Sequence, residues 1–195
     1  MKTKIRNKEL SWLSFNERLI QEADKKDVPA IERIKFLGIY SNNLDEFFRV
    51  RVAILKRLAM VGKFTKVEGN DPQEIIKLVE KRVKELSVRF SRVYGNILQT
   101  LEKENIFLIN EKQLKKDQRK YVENYFFQTI RPRINPLILQ KHIPLPDLKD
   151  EAFYLGIMIV QNGPLKNIYS LIEVPTDILP RFIELPVKRD EHYII

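Results

Sequence analysis

Glu32-Arg33-Ile34-Lys35-Phe36-Leu37-Gly38-Ile39-Tyr40-Ser41-Asn42-Asn43-Leu44-Asp45-Glu46-Phe47-Phe48 is the stretch on which the organisation of this chain turns. Apolar residues recur at helical spacing as far as Tyr40, and a second amphipathic pattern leaves from Leu44. Ser41-Asn42-Asn43 between them reads as a junction of two helices, since Ser and Asn favour caps over helix interiors. Polar side chains, aromatics and free backbone N–H groups then meet at one place. Such a place suits an aromatic, anionic ligand. A well-capped turn accounts for the same residues, and both readings stand at this point.

Outward from the junction, the first half of the chain reads as helices. Ser14-Phe15-Asn16-Glu17 has capping-box spacing, with Trp12, Phe15, Leu19 and Ala23 as the apolar face of helix one. Asp27-Val28-Pro29 opens helix two with proline in its first turn, and Ile31, Ile34, Phe36 and Leu37 form its face. Helix three follows Asn43, burying Leu44, Phe47, Phe48, Leu55 and Leu58 and turning Arg49, Lys56 and Arg57 to water. Gly62 to Asn70 is a polar loop. Asp71-Pro72-Gln73-Glu74 combines an N-cap, a first-position proline and an early acid, so a long helix is expected to about Glu104. Ile76, Val79, Val83, Leu86, Phe90, Val93, Ile97 and Leu101 hold one face of it. Short connections between such helices predict an antiparallel bundle over residues 1–104.

The texture changes at Asn105. Ile106-Phe107-Leu108-Ile109 reads as a short strand. Asp117 to Ile130 reads as a helix with Tyr121, Val122, Tyr125 and Phe126 inward, ended by Arg131-Pro132. Pro136, Pro144 and Pro146 stiffen a connector. Tyr154 to Val160 reads as a buried strand, Gln161-Asn162-Gly163-Pro164 as a turn, and Ile168 to Val174 as the partner strand of a hairpin. His192-Tyr193-Ile194-Ile195 is apolar with nothing after it to finish a sheet. The expected class is therefore α+β: a helical bundle over 1–104, then an α+β domain over 105–195 that is incomplete.

Composition narrows the chemistry. The chain has 195 residues, 44% of them hydrophobic, with only 6 Gly, which suits a folded, helix-rich protein rather than a disordered one. There is no cysteine, so disulfides and zinc-thiolate sites are excluded. Lys+Arg 35 against Asp+Glu 26 leaves +9, a bias toward polyanions that does not choose among nucleic acid, anionic lipid, nucleotide and polyphosphate. The basic residues are interleaved with acids, as on solvated helix faces. Met1-Lys2-Thr3-Lys4-Ile5-Arg6 leads into no apolar core and is not a secretory signal. The uncharged run from Ala152 to Leu165 is too short and too polar to cross a bilayer. A cytoplasmic protein is expected, with peripheral membrane contact left open.

Several catalytic arrangements are absent. There is no glycine-rich phosphate loop. His142, in Lys141-His142-Ile143-Pro144, and His192, between Glu191 and Tyr193, are the only histidines, and neither belongs to a Ser/His/Asp set. Asp45 and Glu46 are adjacent on a helix, point apart, and cannot share a proton. Asn43 remains. Its amide donates and accepts at once, which suits the edge of a nucleobase, and Phe36 and Phe47 are placed to offer rings on either side.

Asn7-Lys8-Glu9-Leu10-Ser11-Trp12-Leu13-Ser14-Phe15-Asn16-Glu17-Arg18 and Phe36-Leu37-Gly38-Ile39-Tyr40-Ser41-Asn42-Asn43-Leu44-Asp45-Glu46-Phe47 resemble the N-terminal domain of the long, multi-domain bacterial polyphosphate kinases. Asn105-Ile106-Phe107-Leu108-Ile109-Asn110-Glu111, Tyr154 to Val160, Val174-Pro175 and Pro180-Arg181-Phe182 resemble that family's second, head domain. The resemblance implies reversible transfer of the terminal phosphate of ATP to inorganic polyphosphate, with Mg2+, through a phosphohistidine on C-terminal domains. It implies that the helical domain covers the adenine, with Asn43 as the matching asparagine and Phe36 and Phe47 as neighbours. It also implies a homo-oligomer formed through the head domain. ATP or ADP and polyphosphate are the expected partners, and nucleic acid is not. His142 and His192 do not match the family's nucleophile, so neither a catalytic residue nor a metal ligand is expected within these residues. Rival readings are a non-catalytic basic module that binds polyanions, and an assembly domain.

Overall fold

The computed structural model describes residues 7–61, 66–67, 70–140, 142–150, 152–160, 167–186 and 191–195. By its internal contacts the chain divides into two compact units, Met1–Glu104 and Asn105–Ile195. The chain is mixed α+β, with a helical bundle first and a sheet-containing region after it.

The bundle starts earlier than its capping-box signal. Helix α1 spans Lys8–Ala23, and Asn7 is its N-cap, its side chain accepting from the backbone N–H of Glu9 at 3.0 Å and Leu10 at 3.3 Å. Ser14 lies inside the helix and donates to the Leu10 carbonyl at 2.9 Å. Glu17 reaches across to Arg82 and Arg89 instead of back to a cap. The buried face is Glu9, Leu13, Asn16, Ile20 and Ala23, while Phe15 is 64% exposed. The face expected from Trp12 and Phe15 is thus rotated by one position. Burying Leu13 and Ile20 completely contributes roughly 1.5–3 kcal/mol each, more than a cap of about 1 kcal/mol, so packing decides.

The second departure concerns the opening stretch. Helix α2 spans Ala30–Phe47, passes into a π-helical turn at Phe48–Val52, and continues as α3, Ala53–Val61. Phe48 and Ala53 have ordinary right-handed helical dihedrals. There is no junction at Ser41-Asn42-Asn43. One rod runs through it, and the free backbone N–H groups expected there are spent within the helix. The π turn has a packing reason. Phe47, Val52 and Leu55 are buried, and the five-residue step from Phe47 to Val52 matches an i→i+5 repeat. A regular α-turn would bring Arg51 to that inward position.

Helix α4, Pro72–Lys103, behaves as its sequence signals. Asp71 caps it, accepting from Gln73 N–H at 2.9 Å, and Pro72 opens the first turn. Ile76, Val79, Leu86, Val93, Ile97 and Leu101 are buried along it. It runs antiparallel to the α2–α3 rod: the Tyr40 and Phe90 rings meet at 5.6 Å, and α3 packs on α4. Helix α1 is antiparallel to the same rod, with Asn16 facing Asn43 and Trp12 facing Phe47. Of the loop expected at Gly62 to Asn70, Val67 and Asn70 form a small antiparallel bridge, and Gly62–Thr65, Glu68 and Gly69 lie outside the described residues.

In the second unit, Asn105 takes a left-handed φ of 61°, the usual way for Asn to terminate a helix at its C′ position. Strand β1, Ile106–Leu108, pairs in parallel with β6, His192–Ile194, which also pairs antiparallel with β5, Glu184–Leu185. The final strand, read as an apolar run with nothing after it to finish a sheet, is the middle one of its three-stranded sheet. The second sheet has the order β2 (Pro136–Leu139), β4 (Ile168–Val174), β3 (Phe153–Ile159), all antiparallel. β2 lies in what read as a stiff connector. β3 and β4 pair from Phe153↔Val174 to Ile159↔Ile168, as a hairpin requires, and the expected turn at Gln161–Pro164 lies outside the described residues. β3 is not buried: Phe153, Leu155 and Met158 are each more than half exposed. Helix α5, Lys116–Tyr125, passes into a π turn at Phe126–Ile130 and a short 3-10 turn at Arg131–Arg133. Tyr121 and Phe126, expected inward, are 38% and 39% exposed.

Candidate functional site

Asn43 sits in the middle of the α2 rod, half-buried on the side that faces α1. Its Nδ2 donates to Asn16 Oδ1 at 3.0 Å. Asn16 is fully buried, and its own Nδ2 donates to the Tyr40 carbonyl at 3.2 Å. The relay from Asn43 through Asn16 to the α2 backbone fixes which way the Asn43 amide faces. A primary amide has two N–H donors and one carbonyl acceptor. One donor is used here, so Oδ1 and the second N–H are left for a ligand. That donor and acceptor, side by side, match the two-point edge an adenine presents.

Phe36 is half-buried on the same helix, seven residues before Asn43. Seven residues are close to two turns, so the two side chains share a face about 10 Å apart along the axis. Phe47 is placed differently from expectation. It is 2% exposed, and its ring stacks on Trp12 at 4.6 Å with 13° between planes. Its other neighbour, Phe48, meets it edge-on at 6.0 Å. Phe47 offers no open ring face, because the α1–α2 contact uses it as packing. It backs Trp12, which is half-buried.

Charge surrounds this face. Glu17 lies between Arg82 and Arg89, bonding to each through a different oxygen, and Arg82 also reaches Glu85 at 2.9 Å. Two guanidiniums and two carboxylates balance in this group. Tyr40 is 3% exposed, and its hydroxyl is buried without a hydrogen-bond partner. Burial raises its pKa first, nearby Glu17 raises it further, and Arg82 opposes both. Beyond Phe47, Arg49 pairs with Asp45 at 3.2 Å and Glu46 at 3.9 Å, and Arg51 stands 4.0 Å from the buried Glu9 carboxylate.

Both histidines belong to the second unit. His142 is exposed in the segment after β2, and His192 pairs through Nδ1 with Glu184 Oε1 at 2.7 Å. Among the described residues no three His, Asp or Glu side chains converge as metal ligands. The magnesium that the resemblance implies is assigned no ligand among these residues.

Comparison with known sequences places the chain. The polyphosphate kinase N-terminal domain matches residues 5–109, and the polyphosphate kinase middle domain matches residues 117–195. The chain belongs to the polyphosphate kinase family. It is 44% identical to a polyphosphate kinase of Vibrio vulnificus strain YJ016 over 184 residues, which is 93% of this chain and 26% of that protein. It is 41% identical to the polyphosphate kinase of Escherichia coli K12 over 180 residues, 92% of this chain and 26% of the other. The crystal structure of polyphosphate kinase from Porphyromonas gingivalis superposes with a TM-score of 0.83 at 30% identity, covering 100% of this chain and 29% of that one. The chain thus spans about a quarter of the length of the polyphosphate kinases it matches.

The sequence alone singles out Asn43, Phe36 and Phe47 and does not single out Asn16 as the partner of Asn43 or Trp12 as the partner of Phe47. Asn16 carries a legible signal, a polar residue on the stripe of Leu13 and Ile20. Its partner lies 27 residues away, a distance that local periodicity does not register.

Proposed function

We propose that this chain forms the base-holding part of an ATP:polyphosphate phosphotransferase, an enzyme that moves the terminal phosphate of ATP reversibly to inorganic polyphosphate. The half-exposed amide of Asn43 carries the reading. It is held by buried Asn16, with its carbonyl and one N–H unspent. Adenine meets that edge with its amino group and a ring nitrogen, and Phe36 flanks the base. Phe47 acts from beneath, by backing Trp12. No nucleophilic role is assigned to His142 or His192, since neither matches the histidine that the resemblance implies.

Asn43→Ala in a catalytically competent polyphosphate kinase carrying this sequence removes a two-point contact. The KM for ATP rises about tenfold, equivalent to roughly 1.4 kcal/mol, with a smaller change in kcat. An unchanged KM for ATP removes the adenine role.

An assembly role for the second unit has its own support. On one face of the β2–β4–β3 sheet, Ile138, Phe153, Leu155 and Ile159 are each roughly half exposed. An apolar surface of this kind marks a protein contact, consistent with a homo-oligomer formed through the head domain. Sedimentation checks it: Leu155→Lys shifts the wild-type oligomer toward monomer, and a wild-type protein that is monomeric at high concentration rejects it.

A further inference from the structure

A second cleft lies apart from the Asn43 face, between the α1–α2 turn and the C-terminal half of α4, with a volume of about 530 Å³. Arg33 lines it and is only 4% exposed. Its Nε donates to the Ala23 carbonyl at 2.7 Å, and that is the one hydrogen bond of its side chain among the described residues. No carboxylate pairs with it among the described residues, so a side chain that is almost wholly buried keeps terminal nitrogens that have no protein partner and reach solvent. A guanidinium presents paired N–H groups that fit two oxygens of a phosphate.

The backbone adds to this. Helix α2 begins on the same cleft, which Pro29 and Ala30 line, and Pro29 provides no side-chain cap. The positive end of an 18-residue helix therefore opens beside the guanidinium, the arrangement that holds anions at helix N-termini. Lys26 and Lys103 stand at the rim, and three acids, Asp24, Asp27 and Glu104, share the lining. Position decides between the signs. Asp24 is bound by Arg92 at 3.1 Å, Asp27 and Glu104 are exposed and solvated, and only the cation is buried.

We propose that this cleft binds a phosphate group, either as free phosphate or as the end of an inorganic polyphosphate. The site is independent of the adenine reading, since it shares no residue with it. The test titrates orthophosphate and tripolyphosphate into the 15N-labelled chain at constant ionic strength set with chloride, followed by backbone amides and the Arg33 Nε–H signal. Saturable shifts are expected at Ala30–Arg33 and at Arg33 Nε. Gln99→Glu adds a carboxylate at an exposed position on the cleft. It should weaken binding about tenfold while leaving the melting temperature without phosphate unchanged. Tighter binding of tripolyphosphate identifies a chain end, and equal affinity identifies single phosphate. Shifts confined to other residues, a response that does not saturate, or an affinity untouched by Gln99→Glu overturns the proposal. Shifts at the Asn43 side chain on adding ATP report on the other site and leave this result unaffected.

Discussion

At the scale of single residues, the candidate site depends on side chains that are buried and polar. Asn16 is fully buried and accepts from Asn43 while donating to the Tyr40 carbonyl, so both ends of its amide are satisfied. Tyr40 is the opposite case, with a buried hydroxyl that bonds to nothing. A buried polar group without a partner costs about 1–3 kcal/mol. Tyr40→Phe removes that group and keeps the ring contact with Phe90, so the variant melts at or above the wild-type temperature. The pH dependence follows from the same burial. Folding raises the tyrosine pKa above its ordinary 10.0, so the folded state holds this proton more tightly than the unfolded one. Its share of stability is complete below pH 10 and is lost as pH rises through the higher folded value. Denaturant melts across that alkaline range should show a shallower fall for Tyr40→Phe than for wild type. Identical slopes contradict the assignment.

At the scale of elements, the helices show what local sequence carries and what it does not. Helix α4 was fully legible, because Asp71-Pro72, a long apolar stripe and Asn105 all agree with one another. The Ser14 capping box and the Ser41-Asn42-Asn43 break were both local signals that tertiary packing overrode. In each case the polar side chains found partners across the bundle, Glu17 on α4 and Asn43 on α1. The π turn at Phe48–Val52 was not legible, because its cause is the burial of Val52 rather than Arg51. The sheets were read less well. β2 and the central place of β6 depend on pairings far along the chain. One element carries a direct prediction. Gly38 lies in α2 with nothing within 4 Å of where a Cβ would stand, and glycine inside a helix costs about 1 kcal/mol relative to alanine. Gly38→Ala therefore raises the melting temperature by a few degrees, on the order of 2–4 °C. A lowered melting temperature means that this face of the helix is packed against something.

At the scale of the whole molecule, the two units differ in how they use their surfaces. The bundle buries an apolar core and holds an amide relay, Asn43 to Asn16 to the Tyr40 carbonyl, within it. The second unit leaves a sheet with apolar side chains on view. The net charge of +9 fits a phosphate-handling protein and identifies nothing by itself. Placement carries more: Arg33 is buried with no counter-ion among the described residues, while Arg49, exposed, is paired with acids on its own helix. Family membership rests on matches over nearly the whole chain. The role of Asn43 rests on one hydrogen-bonded orientation, and that orientation can be observed. The decisive measurement is the set of nuclear Overhauser contacts from the adenine H2 and H8 protons of bound ATP. Cross-peaks to the Asn43 side-chain amide and the Phe36 ring are predicted. Bound ATP whose adenine protons touch neither residue contradicts the account.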